Sequence, residues 1–169
     1  MKRIILLFLI TLLCSCSPKY FQNFDAVEYY RLTVDESKVD QNDNSVIEKI
    51  LHYDLPQKIE DSLFYNELNT NLFSKQLIKS NDFGNLESCF TNKLSLIKTD
   101  YACIPTFRDI FVFKNKNKKV GIAKICFECE KVQFLESNAD NEANDFNNFE
   151  SLKAFLKNYN KQNPQKGIN

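Results

Sequence analysis

The sequence predicts a small α+β domain in which an antiparallel sheet, built around a hairpin at residues 107–135, carries helices packed on one face. Two strand-like runs, 107–114 and 119–127, are joined by a short polar turn, and this arrangement is typical of a hairpin. Residues 149–159 place apolar side chains at the spacing of one helix face. A chain of 169 residues with 43% hydrophobic residues is long enough for one such domain.

The elements before the hairpin begin with a strand. Residues 26–34 hold the β-branched and aromatic side chains that suit a pleated surface, and residues 35–44 form a polar loop. Residues 45–53 are ambiguous, although their apolar positions recur at helical spacing.

Two helices are predicted next. Asp54 is placed as the N-cap of a helix, with Pro56 in its first turn. A second helical pattern covers residues 70–79. The polar run at 81–85 is expected to end it, because it contains Gly84 and glycine accepts a reversal of the chain at low cost.

The elements after the hairpin turn are predicted in the same way. The sheet continues through residues 132–135, and the acidic, asparagine-rich residues 137–148 form an exposed loop. A helix at 149–159 closes the domain. Residues 160–169 are polar and are expected to be a disordered tail.

Composition excludes several classes of function. Lys and Arg together number 22, as do Asp and Glu, whereas an electrostatic nucleic-acid binder needs a basic excess. Three dispersed glycines exclude the glycine-rich loops that cradle phosphate, and one histidine, His52, excludes two-histidine metal motifs. We therefore expect no nucleic-acid partner, no cofactor, no metal site and no catalytic residue.

The start of the chain predicts a signal peptide. A basic start at residues 1–3 precedes an apolar run at 4–13 that is too short to span a bilayer comfortably. The run ends in Leu13-Cys14-Ser15-Cys16, which resembles the lipobox of bacterial lipoproteins. This resemblance implies that residues 1–15 are removed and that Cys16 is acylated. The alternative is an ordinary secreted protein.

The lipobox resemblance also implies a cellular location. Ser17, and not Asp, follows Cys16, which in lipoproteins of Gram-negative bacteria favours sorting to the outer membrane. Residues 16–24 would then be a lipidated tether, and residues 25–159 a single globular domain that faces the periplasm. The expected partners are the membrane, through the lipid, and a protein of the cell envelope.

Cleavage and lipidation leave four cysteines: Cys89, Cys103, Cys126 and Cys129. An even number in an oxidising compartment predicts two disulfides. In this interpretation Cys126 or Cys129 bridges Cys103 or Cys89. Plain buried thiols are the other structural interpretation.

Cys126 and Cys129 also raise two chemical alternatives. A thioredoxin-like dithiol needs a thiolate at a helix N-terminus, whereas this pair lies in a predicted strand, where residues three apart point to opposite faces. A four-cysteine zinc site usually has two close pairs, and this chain has one. Glu130, where haem attachment needs histidine, excludes a covalent haem.

The stretch from Cys103 to the motif Ile125-Cys126-Phe127-Glu128-Cys129 is similar to a pattern in small, uncharacterised bacterial lipoproteins. The similarity covers residues 101–159 and implies no activity. In that pattern proline directly precedes arginine, whereas Thr106 and Phe107 intervene here.

These observations predict a lipid-anchored envelope lipoprotein that is structural or binds a partner, and not an enzyme. An exposed apolar patch would favour this function. The alternative is a thiol-redox or metal-handling periplasmic protein that uses Cys126 and Cys129, which would require those thiols to be close and exposed.

Overall fold

The fold was analysed in a computed structural model. Cys16, the predicted signal peptide and most of the predicted tether lie outside the residues that the structure describes, and so does most of the predicted loop at 137–148. The described residues are 23–35, 45–90, 103–136, 146 and 148–163.

A five-stranded antiparallel sheet forms the centre of the domain, with the strand order β2-β1-β3-β4-β5. The hairpin predicted from the sequence supplies its three strands on one side. The strands are β1 (Ala26–Leu32), β2 (Phe73–Ile78), β3 (Asp109–Asn115), β4 (Lys118–Cys126) and β5 (Lys131–Glu136). With the helices described next, this sheet confirms the α+β class.

The α-helices of the described residues all pack on the sheet. They are α1 (Val46–Leu51), α2 (Ser62–Leu68), α3 (Phe83–Cys89) and α4 (Phe149–Gln162). A short 3₁₀ turn, Ser80–Asp82, leads into α3.

The helices cover both faces of the sheet, and not one face as the sequence predicted. Phe111 and Phe113 of β3 pack with α3 and α4, whereas Ile110 and Val112 pack with α1 and α2. Successive residues of a strand point to opposite faces. Because these four side chains are all apolar and at most 1% exposed, each face needs its own cover.

The predicted helix at residues 70–79 is wrong, because this segment forms β2. Its residues pair antiparallel with β1, from Leu32 opposite Phe73 to Val27 opposite Ile78. Phe73 and Ile78 are buried, and the residues between them alternate in exposure. A short apolar run is compatible with the periodicity of a helix or of a strand. Hydrogen bonding to β1 is what makes this segment a strand.

The predicted helix start at Asp54 is also wrong. Helix α2 begins at Ser62, where Asp61 is the N-cap and its Oδ1 accepts hydrogen bonds from the backbone N–H groups of Leu63 and Phe64, at 3.1 and 3.2 Å. Asp54 lies in a non-helical segment between α1 and α2.

The predicted helix stop at residues 81–85 is wrong as well, because the 3₁₀ turn ends and α3 begins within it. A Cβ placed on Gly84 would meet no atom within 4 Å, so this glycine is one residue of an open helix surface. Leu86 and Phe90, which follow, are buried against the sheet, and their burial holds the helix in place. At the other end of the chain α4 continues to Gln162, beyond the predicted end at 159.

Candidate functional site

Three cysteines meet at the end of β4, around one phenylalanine. We call this group, Cys103, Phe107, Cys126 and Cys129, the cysteine corner. Phe107, Cys126 and Cys129 form a small buried cluster of their own, separate from the two main core clusters. Cys103 lies beside them in an exposed part of the segment that leads into β3.

A disulfide joins Cys103 to Cys129. Their Cα atoms are 5.7 Å apart and the cysteines are 26 positions apart in sequence, so the bridge ties the segment before β3 to the turn after β4. This is the only disulfide in the described part of the chain, where the cysteine count predicted two. Cys89 and Cys126 are buried thiols instead.

The sheet separates the two thiols. Cys89 belongs to the core cluster under α3 and α4, where its Sγ donates to the carbonyl oxygen of Asn85 at 3.3 Å. Cys126 follows Lys124 on the strand face that points towards α1. A second bridge between Cys89 and Cys126 would have to pass through the sheet.

The strand ends earlier than the sequence indicated, and this changes the geometry of the pair. Cys126 is the last residue of β4, and residues 127–130 form a turn that Glu130 closes with a positive φ of 49°. The expectation that Cys126 and Cys129 point to opposite faces of one strand is therefore wrong. The turn brings both of them into the cluster with Phe107.

Helix α1 holds the segment before β3 in place. The backbone N–H of Phe107 donates to the carbonyl oxygen of Leu51 at 2.8 Å. The ring of His52 lies between Pro105 and Glu48, with Nδ1 3.0 Å from the Pro105 carbonyl oxygen and Nε2 2.9 Å from Glu48 Oε1. His52 thus positions the cysteine corner from outside.

An ion pair covers the turn. Arg108 Nη1 lies 2.6 Å from Glu128 Oε1, and Glu128 Oε2 lies 3.8 Å from Cys126 Sγ. The side chain of Glu128 therefore bridges the arginine before β3 and the thiol at the end of β4.

Lys124 is a buried lysine that sequence reasoning missed. Its side chain is 0% exposed, and Nζ donates hydrogen bonds to the carbonyl oxygens of His52 and Leu55. Nζ also lies 4.7 Å from the centre of the Phe107 ring. Burial lowers the pKa of Lys124 well below its ordinary value, and the charge of Asp54 opposes this shift. The sequence feature that could have indicated this burial is the position of the lysine between two apolar residues, Ala123 and Ile125, which are also buried.

A second polar cluster lies on β1, away from the cysteine corner. Glu28 accepts from Lys75 and from Lys114, each at 2.7 Å, and from the Tyr30 hydroxyl at 3.0 Å. Burial alone would raise the pKa of Glu28, but the two lysines outweigh it and lower that pKa. All three of its partners are protein groups, so this cluster is a structural one.

Exposed apolar side chains flank the cysteine corner. Ile104, next to Cys103, is 83% exposed and Tyr53 is 49% exposed. The Tyr53 ring packs edge to face on the Phe107 ring, with centres 5.0 Å apart. Leu63 and Leu77 are further exposed leucines elsewhere on the surface.

The described residues contain neither a cluster of metal ligands nor a helix that could cross a membrane. No group of three or more His, Cys, Asp or Glu side chains there is placed to hold a metal ion. No helix in the same residues has the length and apolar character needed to cross a bilayer.

Comparisons with known proteins identify no relatives. No protein-family model matches the chain, and neither a curated protein nor a solved structure is significantly similar to it. Its class is defined by the fold and the cysteine corner alone. It is a small α+β domain in which a disulfide links the segment before β3 to the turn after β4.

Proposed function

We propose that this chain is a lipid-anchored lipoprotein of the bacterial cell envelope, held by acylated Cys16, whose folded domain is structural or binds a protein partner. The sequence Leu13-Cys14-Ser15-Cys16, after a basic start and a short apolar run, carries this proposal. Ser17 in place of Asp favours the outer membrane, with the domain facing the periplasm.

The Cys103–Cys129 disulfide supports the proposed location in the periplasm. Disulfides persist in oxidising compartments such as the periplasm and are rare in the cytosol. A domain that is exported and anchored by lipid would form this bridge after it crosses the inner membrane.

Metabolic labelling with an alkyne fatty acid tests the anchor. We expect the full-length chain, expressed in a Gram-negative bacterium, to take up the label and to sediment with outer membranes. Cys16→Ala should abolish labelling and leave an uncleaved precursor, whereas Cys14→Ala should be labelled like the wild type. Equal labelling of the Cys16 variant, or none of the wild type, would overturn the proposal.

The apolar side chains beside the cysteine corner support partner binding. Ile104 is almost fully exposed although it is a large aliphatic residue, and Tyr53 extends the same exposed end of the domain. A contiguous exposed apolar surface is typical of a protein contact, and these two side chains mark where we propose that such a contact lies.

Photocrosslinking in living cells tests the partner. A benzoylphenylalanine residue at position 104 should give a discrete crosslinked band, and the same residue at position 77 serves as a control because Leu77 is also well exposed, at 65%. Bands from both positions or from neither would contradict a specific contact at residue 104.

A second candidate function is thiol-redox chemistry at Cys126 and Cys129. The observation in its favour is that a buried thiol and a disulfide share the cysteine corner. Equilibration of the protein in glutathione buffers tests it. A reduction potential between about −120 and −270 mV would match redox-active proteins, whereas one below about −300 mV would mark a structural bridge.

A further inference from the structure

We propose that Cys126 exchanges with the Cys103–Cys129 bridge, so that the disulfide of the cysteine corner has two positions and Cys103 is released as a surface thiol in one of them. This inference deepens the second candidate function and rests on it.

The attacking and the attacked cysteine are buried, whereas the leaving cysteine is exposed. Cys126 is 2% exposed and Cys129 is 8% exposed, whereas Cys103 lies in the exposed class. The bridge thus joins an inner sulfur to an outer one, and the third sulfur lies on the inner side.

The turn at residues 127–130 places the inner pair together. Cys126 ends β4 and Cys129 lies within the turn, and both side chains belong to the cluster that Phe107 completes. A disulfide requires Cβ atoms about 4 Å apart. Two cysteines separated by two residues can approach that distance across a turn, whereas in a strand they point to opposite faces.

The exchange conserves electrons. The Cys126 thiolate attacks Cys129 Sγ, the Cys126–Cys129 bond forms, the Cys129–Cys103 bond breaks, and Cys103 leaves as a thiolate. The proton of Cys126 passes to water, by way of Glu128 Oε2 at 3.8 Å, and Cys103 takes a proton from solvent. No external oxidant or reductant takes part.

The product presents a reactive group to other molecules. Cys103, once released, lies beside the exposed Ile104, so its thiolate is accessible to a disulfide of another polypeptide. Attack there would form a mixed disulfide with Cys103 and release one thiol of the partner.

Peptide mapping of the oxidised full-length protein, alkylated without reduction, tests the exchange. Trypsin separates Cys103, in peptide 99–108, from Cys126 and Cys129, which share peptide 125–131. The bridge seen in the structure links the two peptides. The exchanged bridge lies inside peptide 125–131, which becomes lighter by two hydrogens, and leaves Cys103 alkylated.

We expect alkylated Cys103 and internally bridged 125–131 to appear together during incubation at mildly alkaline pH, and to form more slowly in acid, because the attacking species in thiol–disulfide exchange is a thiolate. Cys126→Ser should abolish both products, whereas Cys89→Ser should keep them. Both variants replace a buried thiol by a hydroxyl, so they are matched.

Three results would overturn the inference. If Cys126 is alkylated while peptides 99–108 and 125–131 stay linked, the thiol does not reach the bridge. If alkylated Cys103 persists in Cys126→Ser, its release does not depend on Cys126. If neither bridge is present in the purified protein, the oxidised state itself is absent and the second candidate function fails with the exchange.

Discussion

Lys124 Nζ lies 2.6 Å from the carbonyl oxygen of Leu55, inside a site that solvent does not reach. The same Nζ donates to the carbonyl oxygen of His52. One side chain of the central sheet thereby holds the segment that follows α1. Tyr53, in that segment, packs its ring on Phe107, around which the cysteine corner is built.

Lys124→Met should destabilise the protein by an amount that grows with pH. Burial lowers the pKa of Lys124 well below 10.5. Between the lowered pKa and 10.5, the unfolded chain binds more protons at this residue than the folded chain, so the wild type gains stability as pH rises. Methionine removes that gain and leaves two buried carbonyls without their donor, at a cost of about 1–3 kcal/mol each.

Urea unfolding at several pH values between 6 and about 10 measures this effect. Lys118→Met is the matched control, because Lys118 is an exposed lysine of the same strand. Its unfolding free energy should follow that of the wild type at every pH. A penalty for Lys124→Met that is constant or shrinks as pH rises would contradict the assigned pKa direction.

Local pattern was enough to predict the hairpin and the closing helix. β3 and β4 are continuous apolar runs that pair with each other across a short polar turn. α4 buries apolar side chains at helical spacing. The cysteines at the ends of these elements were also identified from the sequence, because cysteine chemistry is carried by the residue type. The sequence does not show which of these cysteines pair, because the direction of the Cys129 side chain depends on where β4 ends.

Tertiary context decided the elements that the sequence predicted wrongly. β2 is an edge strand whose partner, β1, lies more than forty residues earlier in the chain, so no local period reveals it. Lys124 is buried because two carbonyls and an aromatic ring meet its ammonium. A lysine between apolar residues marks the position in the sequence, but the groups that surround its amino group come from a distant segment.

Asp61→Ala should destabilise the protein by about 0.5–2 kcal/mol, because it removes the N-cap of α2. Two backbone N–H groups, those of Leu63 and Phe64, then lose their acceptor. Asp61→Asn should restore most of the loss, since asparagine caps nearly as well. Chemical denaturation of the three proteins measures the differences, and equal losses for alanine and asparagine would argue against capping.

Leu152→Ala should cost about 2–5 kcal/mol, because Leu152 is 0% exposed and packs α4 on the sheet. Leu77→Ala should change the unfolding free energy by less than about 0.5 kcal/mol, because Leu77 is 65% exposed. The comparison is made by thermal and urea unfolding. A small effect at Leu152 would mean that α4 does not cover this face of the sheet in solution.

Tyr29→Phe should cost more stability at neutral pH than Tyr30→Phe, although both rings are buried. The Tyr29 hydroxyl donates to Asp109, a carboxyl whose pKa burial already raises above 3.8. The Tyr30 hydroxyl donates to Glu28, which keeps two lysine partners after the change. Loss of a donor to a buried charge costs about 1–3 kcal/mol. We expect the larger cost at Asp109, on which Arg31 and Arg108 act through their charge, because Glu28 keeps two lysine hydrogen bonds.

The pH dependence separates this cause from simple loss of packing. With its pKa raised, Asp109 binds a proton in the folded state more readily than in the unfolded state, so stability falls as pH rises from 3.8 through the folded-state pKa. Tyr29→Phe raises that pKa further, so its penalty should widen from about pH 4 to pH 7. Unfolding curves across this range decide: a penalty independent of pH would show that the hydroxyl does not stabilise the Asp109 carboxylate.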